Sequence, residues 1–144
     1  MAKKKLKKVP DFCGWIAVEV EEAEDILRVA EENLRLAEAE ADVAEERGRK
    51  LAAAEAAEYI AGVLGPETWV QGALESNGAY CAMGHIERVD QGLEEELSVA
   101  MEEVLDGSTI AGWNDAPKRT WQQVRAGFLK AAKLLKKQAR ELTA

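Results

Sequence analysis

Cys81 and His85 stand four residues apart in a stretch of helical character, so a thiol and an imidazole share one helix face. Two chemistries follow from that spacing. The pair could contribute to a zinc site, which needs four protein ligands or three plus water, with Cys13 and a carboxylate completing the set. It could also act as a nucleophile and its base, but no third residue is evident to orient the histidine. The chain holds only two cysteines and one histidine. A buried thiol and a half-buried imidazole therefore account for the pair more simply, and no catalytic, cofactor or metal residue is assigned. A phosphate-cradling glycine loop, a paired catalytic carboxylate site and an RNA-stacking aromatic motif are all missing from the sequence.

A second polar cluster runs Trp113-Asn114-Asp115-Ala116-Pro117-Lys118-Arg119-Thr120, at a loop before a helix start. Such groups could bind a ligand. They also suit a structural corner, in which Trp113 plugs the core, Asn114 ends one helix and Thr120 begins the next. In that reading Asp115 pairs with Arg119. The structural corner is the preferred reading, with a binding surface as its alternative.

The remaining chemistry is charge. The formal net charge is -8 and the pI about 4.8, which argues against general nucleic-acid binding. The distribution is uneven. Lys3, Lys4, Lys5, Lys7 and Lys8 make a basic arm, residues 11 to 46 hold thirteen acids, and the stretch from Lys118 onward holds eight basic residues. The arm could reach phosphates or an acidic protein groove. The acidic run could occupy a basic site on a partner, or be a solvated helix face.

An element must carry that acidic run, and its pattern is regular. Ile16, Val20, Ala23, Leu27, Ala30, Leu34, Ala37, Ala41 and Ala44 recur at steps of four and three, the 3.5-residue seam of a helix packed along its length. The spacing predicts a long helix from about Trp15 to Glu46, a break at Arg47-Gly48-Arg49-Lys50, and a second helix over Leu51 to Leu64 stopped by Gly65-Pro66. Asn77-Gly78 predicts a turn, with a small hairpin around it. Helical stretches follow at Tyr80 to Val89, Leu93 to Leu105 and, briefly, Ser108 to Gly112. Thr120 and Gln123 form a capping box for a last helix, whose apolar stripe is Trp121, Val124, Phe128, Ala131, Leu135 and Leu142. The alanine-lined acidic helix and this bulky basic helix are natural mates.

Three elements of the middle region carry a family likeness: Trp69-Val70-Gln71-Gly72-Ala73, Cys81-Ala82-Met83-Gly84-His85-Ile86, and Trp113 to Thr120. They resemble the W-x-Q-G-A, C-A-x-G and W-N-D-x-P-x-R-T pattern of an uncharacterised family of small proteins from actinobacteria and their bacteriophages. The resemblance covers about residues 51 to 135 and leaves the arm and the acidic helix outside. It implies a compact helical module in a phage or prophage setting, and it brings no activity with it. Trp69 and Gln71 join Trp113, Asn114, Asp115, Arg119 and Thr120 as the corner residues.

The sequence thus leads to an all-α protein with three parts: a flexible basic arm over 1–10, a long acidic helix over 11–50 and a helical module over 51–144. Its expected task is non-enzymatic interaction or assembly through Ile16, Val20, Leu27, Leu34 and the lysines of the arm, by self-association or with a protein partner. The alternatives are an acidic decoy on a basic nucleic-acid-binding surface, or a metal or enzymatic module around Cys81 and His85. No cofactor, membrane span or secretory leader is expected, and the location expected is cytoplasmic, in a bacterial host or with a virion.

Overall fold

The computed structural model describes the backbone of residues 6–11 and 14–143 and the side chains of residues 21–143. The fold is essentially all-α. Strands β1 (Leu6–Asp11) and β2 (Gly14–Glu19) form an antiparallel hairpin that leads into helix α1 (Val20–Val63). A two-residue pair, β3 (Glu75–Ser76) and β4 (Ala79–Tyr80), follows. Then come α2 (Ala82–Glu87), α3 (Leu93–Val104), α4 (Ile110–Asn114) and α5 (Trp121–Glu141). Two compact units divide the chain at 42/43, with α1 contributing to both.

In the first unit, helix starts at Val20 rather than Trp15, and Ile16 lies in β2, paired with Val9. Trp15, Ile16, Val18 and Val20 are β-branched or aromatic, types that favour strand. The arm expected to be flexible overlaps β1 from Leu6, including Lys7 and Lys8. Lys3, Lys4, Lys5 and Cys13 lie outside the described residues, as do the side chains of Lys7, Lys8, Ile16 and Val20. From Glu21 onward the helix is acidic in its first turn, where glutamates suit the positive end of the helix dipole.

The expected break at Gly48 does not occur, and α1 passes through it without interruption. Glycine costs a helix about 1 kcal/mol relative to alanine. Local tethers offset that cost. Arg47 donates to the carbonyls of Ala139 and Leu142, and Lys50 reaches Glu96 at 3.3 Å. From Ala53 on, the helix buries Ala53, Ala54, Ala57, Ile60 and Ala61 on one face.

The core of the second unit joins that face to Ile86, Leu97, Met101, Val124, Phe128 and Leu135, with α5 packed on α3 and running antiparallel to the second half of α1. Trp121 and Leu142, expected on the α5 stripe, are only half-buried, and Gly127, Ala132 and Ala139 complete the buried face. The alanine face of residues 53–61 and the apolar stripe of α5 lie in this one buried cluster.

The local stops are well formed. Thr68 Oγ1 donates to the Val63 carbonyl at 2.7 Å and accepts from the Gly65 N–H at 2.8 Å, closing α1 before Pro66. Asn77 and Gly78 both have positive φ, 51° and 82°, as a tight two-residue hairpin turn requires. Thr120 caps α5 in a full capping box with Gln123. No helix among the described residues is long and apolar enough to cross a membrane.

Candidate functional site

The corner residues do come together, and they are spent on one another. Asn114 ends α4, fully buried. Its Oδ1 accepts from the Trp69 indole at 2.7 Å and from the Ala82 N–H at 3.0 Å. Its Nδ2 donates to the Val70 carbonyl at 3.1 Å and to Asp115 Oδ1 at 3.0 Å. Gln71 Nε2 donates to the carbonyls of Asn114 and Ala116. This network pins the loop after α1 to the end of α4 and the start of α2.

Asp115 does not pair with Arg119 as expected. Its carboxylate accepts from the Gly72 N–H at 2.9 Å. That bond, with the one from Asn114, holds its pKa below the ordinary carboxylate value. Arg119 instead donates through Nε to the Trp113 carbonyl at 2.8 Å and lays its guanidinium over the Trp113 ring, 4.3 Å from the centroid. Lys118, just before Arg119, has a positive φ of 64°. Thr120 is a cap. The corner is a lock between segments, and among the described residues no buried side-chain polar atom lacks a partner.

Cys81 and His85 are adjacent but do separate tasks. Cys81 is the N-cap of α2, its Sγ accepting from the Gly84 N–H at 3.3 Å. His85 Nε2 bonds the Thr68 carbonyl at 2.9 Å, which makes Nε2 the protonated nitrogen of the neutral ring. Burial pushes the His85 pKa down; the Thr68 bond opposes this and the Arg88 charge adds to it. Among the described residues no group of three or more His, Cys, Asp or Glu side chains could hold a metal ion.

His85 lines an open cleft of about 680 Å³ that sequence reasoning missed. Glu55 and Tyr59 of α1 form one wall, and Tyr80, Arg88 and Asp90 the other. Arg88 sits over the Tyr80 ring, 4.4 Å from its centroid, and donates to the Tyr80 hydroxyl, while the same ring meets His85 edge-on. Nothing in the sequence flags this trio, because Tyr80 ends a strand and Arg88 follows a helix. The cleft offers the cation of Arg88, the phenols of Tyr59 and Tyr80 and the carboxylates of Glu55 and Asp90, with no nucleophile placed beside a base.

The interaction residues of the acidic helix present a different surface. Leu27 and Leu34 are 54% and 60% exposed, and Ile26 beside them is 57% exposed. Ala30, Ala37 and Ala41 on the same face are exposed too, whereas Ala23 is buried. The seam expected to be buried is therefore open over most of its described length.

A family model described as "Family of unknown function (DUF6197)" matches residues 19–134, and the chain belongs to that family. The match takes in all three sequence elements and the whole of α1, so the acidic helix is inside the family's extent rather than an addition to it. No curated protein and no solved structure matches the chain.

Proposed function

We propose that this member of the family is a non-enzymatic interaction protein that engages a protein partner through the exposed face of α1. The observation that carries the reading is the exposure of five large apolar side chains on the acidic part of α1: Ile26, Leu27 and Leu34 along the seam, with Val29 and Leu36 beside it. Apolar surface left in water costs about 25 cal/mol per Å², and a row of large side chains at coiled-coil spacing is a surface ready to be covered. The setting we propose, from the three sequence elements, is the cytoplasm of an actinobacterial cell or an actinobacteriophage particle.

The acidic-decoy reading draws on the nine acids against Arg28 and Arg35 over residues 21–42. The two readings separate on the leucines, which a pure charge mimic does not need. A metal or enzymatic centre at Cys81 and His85 has less support, since both side chains are engaged in backbone bonds.

The test is Leu27→Gln with Leu34→Gln in the full chain. Light scattering against the 15.8 kDa monomer mass and affinity capture from a host lysate are compared with wild type. The interaction reading expects an assembly or a captured protein that the double variant loses. Capture that survives the leucine change and disappears with salt would favour the decoy.

A further inference from the structure

The exposed face of α1 is charged on one flank in a way that selects its occupant. With Leu27, Leu34 and Ala41 at a and Ala23, Ala30 and Ala37 at d, the e positions are Glu24, Glu31 and Glu38. The g positions are Ile26, Asn33 and Glu40, which supply no cation. The only basic residues of the stretch, Arg28 and Arg35, fall at b, away from the seam, and Arg28 is engaged by Asp25 at 3.0 Å.

Flanking residues decide pairing in coiled coils. In a parallel pair of copies, g meets the following e of the other helix, so Ile26 and Asn33 would face glutamates. In an antiparallel pair, e meets e, and glutamate would face glutamate. Glutamate against glutamate disfavours the antiparallel pair, while the parallel pair gains no ion pair and sets Glu40 against Glu45. The basic helix of a second copy is no substitute, because the apolar stripe of α5 is already buried in its own unit. The alanines at d leave shallow seats for large side chains from the occupant.

We infer that the α1 face from Ile26 to Ala41 docks a basic amphipathic helix of a different protein, with leucine-sized side chains on its seam and lysine or arginine beside the glutamate row. This rests on the interaction reading above and gives the partner its chemistry.

Two synthetic peptides of about three heptads test it, one with lysine and one with glutamate flanking the same leucine seam. Each is titrated against the full chain by fluorescence anisotropy, at about 0.05 M and about 0.5 M salt. The lysine peptide should bind at least about tenfold more tightly, a gap that shrinks as salt rises. Glu24→Lys with Glu31→Lys and Glu38→Lys should reverse the preference. Leu27→Gln with Leu34→Gln should abolish binding of both peptides while circular dichroism stays unchanged. Equal binding of the two peptides, or lysine-peptide binding that survives the leucine change, overturns the proposal. A chain that self-associates until Leu34→Gln dissociates it also overturns the proposal, yet leaves the interaction reading standing. A monomer that binds neither peptide, and loses no partner with the leucine variants, sinks both.

Discussion

The Trp69 indole donates to Asn114 Oδ1 at 2.7 Å across 45 residues of sequence, and the same oxygen takes the first N–H of α2. One buried amide thus organises the end of α4, the start of α2 and the loop that leaves α1. Asn114→Ala removes all four bonds and takes the side-chain partner from the indole, the Ala82 N–H and the Val70 carbonyl. Each unsatisfied buried group costs about 1–3 kcal/mol. The expected loss in urea unfolding is at least about 3 kcal/mol. Trp69→Phe deletes one donor and leaves Oδ1 a partner, so about 1 kcal/mol of polar loss is expected. The two changes share a bond and should not add. An Asn114→Ala midpoint equal to wild type would refute the lock.

Gly84 and Gly48 are expected to answer alanine in opposite ways. A Cβ at Gly84 would sit 2.2 Å from the Leu74 carbonyl oxygen, a backbone atom that cannot swing aside. Gly84→Ala must move the β3–β4 segment or α2, and overpacking of this kind costs about 1–3 kcal/mol. A Cβ at Gly48 would meet nothing within 4 Å. Gly48→Ala should raise stability by about 0.5–1 kcal/mol, the helix-propensity difference alone. Thermal unfolding of both variants checks the pair. Destabilisation by Gly48→Ala would mean that the helix needs a bend there.

The same two glycines mark what the sequence could and could not tell. Signals confined to a few residues were legible: the Thr120–Gln123 box, the Asn77-Gly78 turn, the Gly65-Pro66 stop and the helical class of the fold. Gly48 does not break α1, a local propensity being outweighed where Arg47 and Lys50 reach residues far along the chain. Ile16 lies in a strand because Ile16, Val18 and Val20 also satisfy a two-residue period, which the 3.5-residue seam masks. The corner residues were recognisable by type, but their partners were not. Asp115 has an arginine four residues away and bonds the Gly72 N–H instead, 43 residues back. The Tyr80, His85 and Arg88 wall gave no periodic signal, since a strand end and two turns of a short helix assemble it.

His85 is the single histidine of the chain, so its titration has a clean window. Its folded pKa lies below the ordinary value of 6.5 because burial disfavours the cation. As pH falls through 6.5 the unfolded chain takes up the proton first. Stability is therefore fully present above 6.5 and is lost as pH drops towards the folded pKa, by at most about 1.4 kcal/mol per pH unit. His85→Gln should flatten the pH dependence of the urea midpoint between about pH 7.5 and 5.5. Asp115, also held low, acts in a separate window below 3.8. An unaltered slope in His85→Gln would show that the ring is not desolvated.

Arg47 is expected to hold the end of α5. Its Nε donates to the Ala139 carbonyl at 3.0 Å and its Nη2 to the Leu142 carbonyl at 2.8 Å. The last carbonyls of a helix have no partner within it, and a cation there also suits the negative end of the dipole. The guanidinium fork delivers two bonds from one rigid plane, which an ammonium cannot reproduce. Arg47→Ala should cost about 1–3 kcal/mol, and Arg47→Lys should fall between it and wild type. The loss should be local first: backbone hydrogen exchange should quicken over residues 137–141, while the core amides around Phe128 change only with global stability. If those last-turn amides exchange at the wild-type rate in Arg47→Ala, the helix end is held by packing of Leu135 and Ala139 alone.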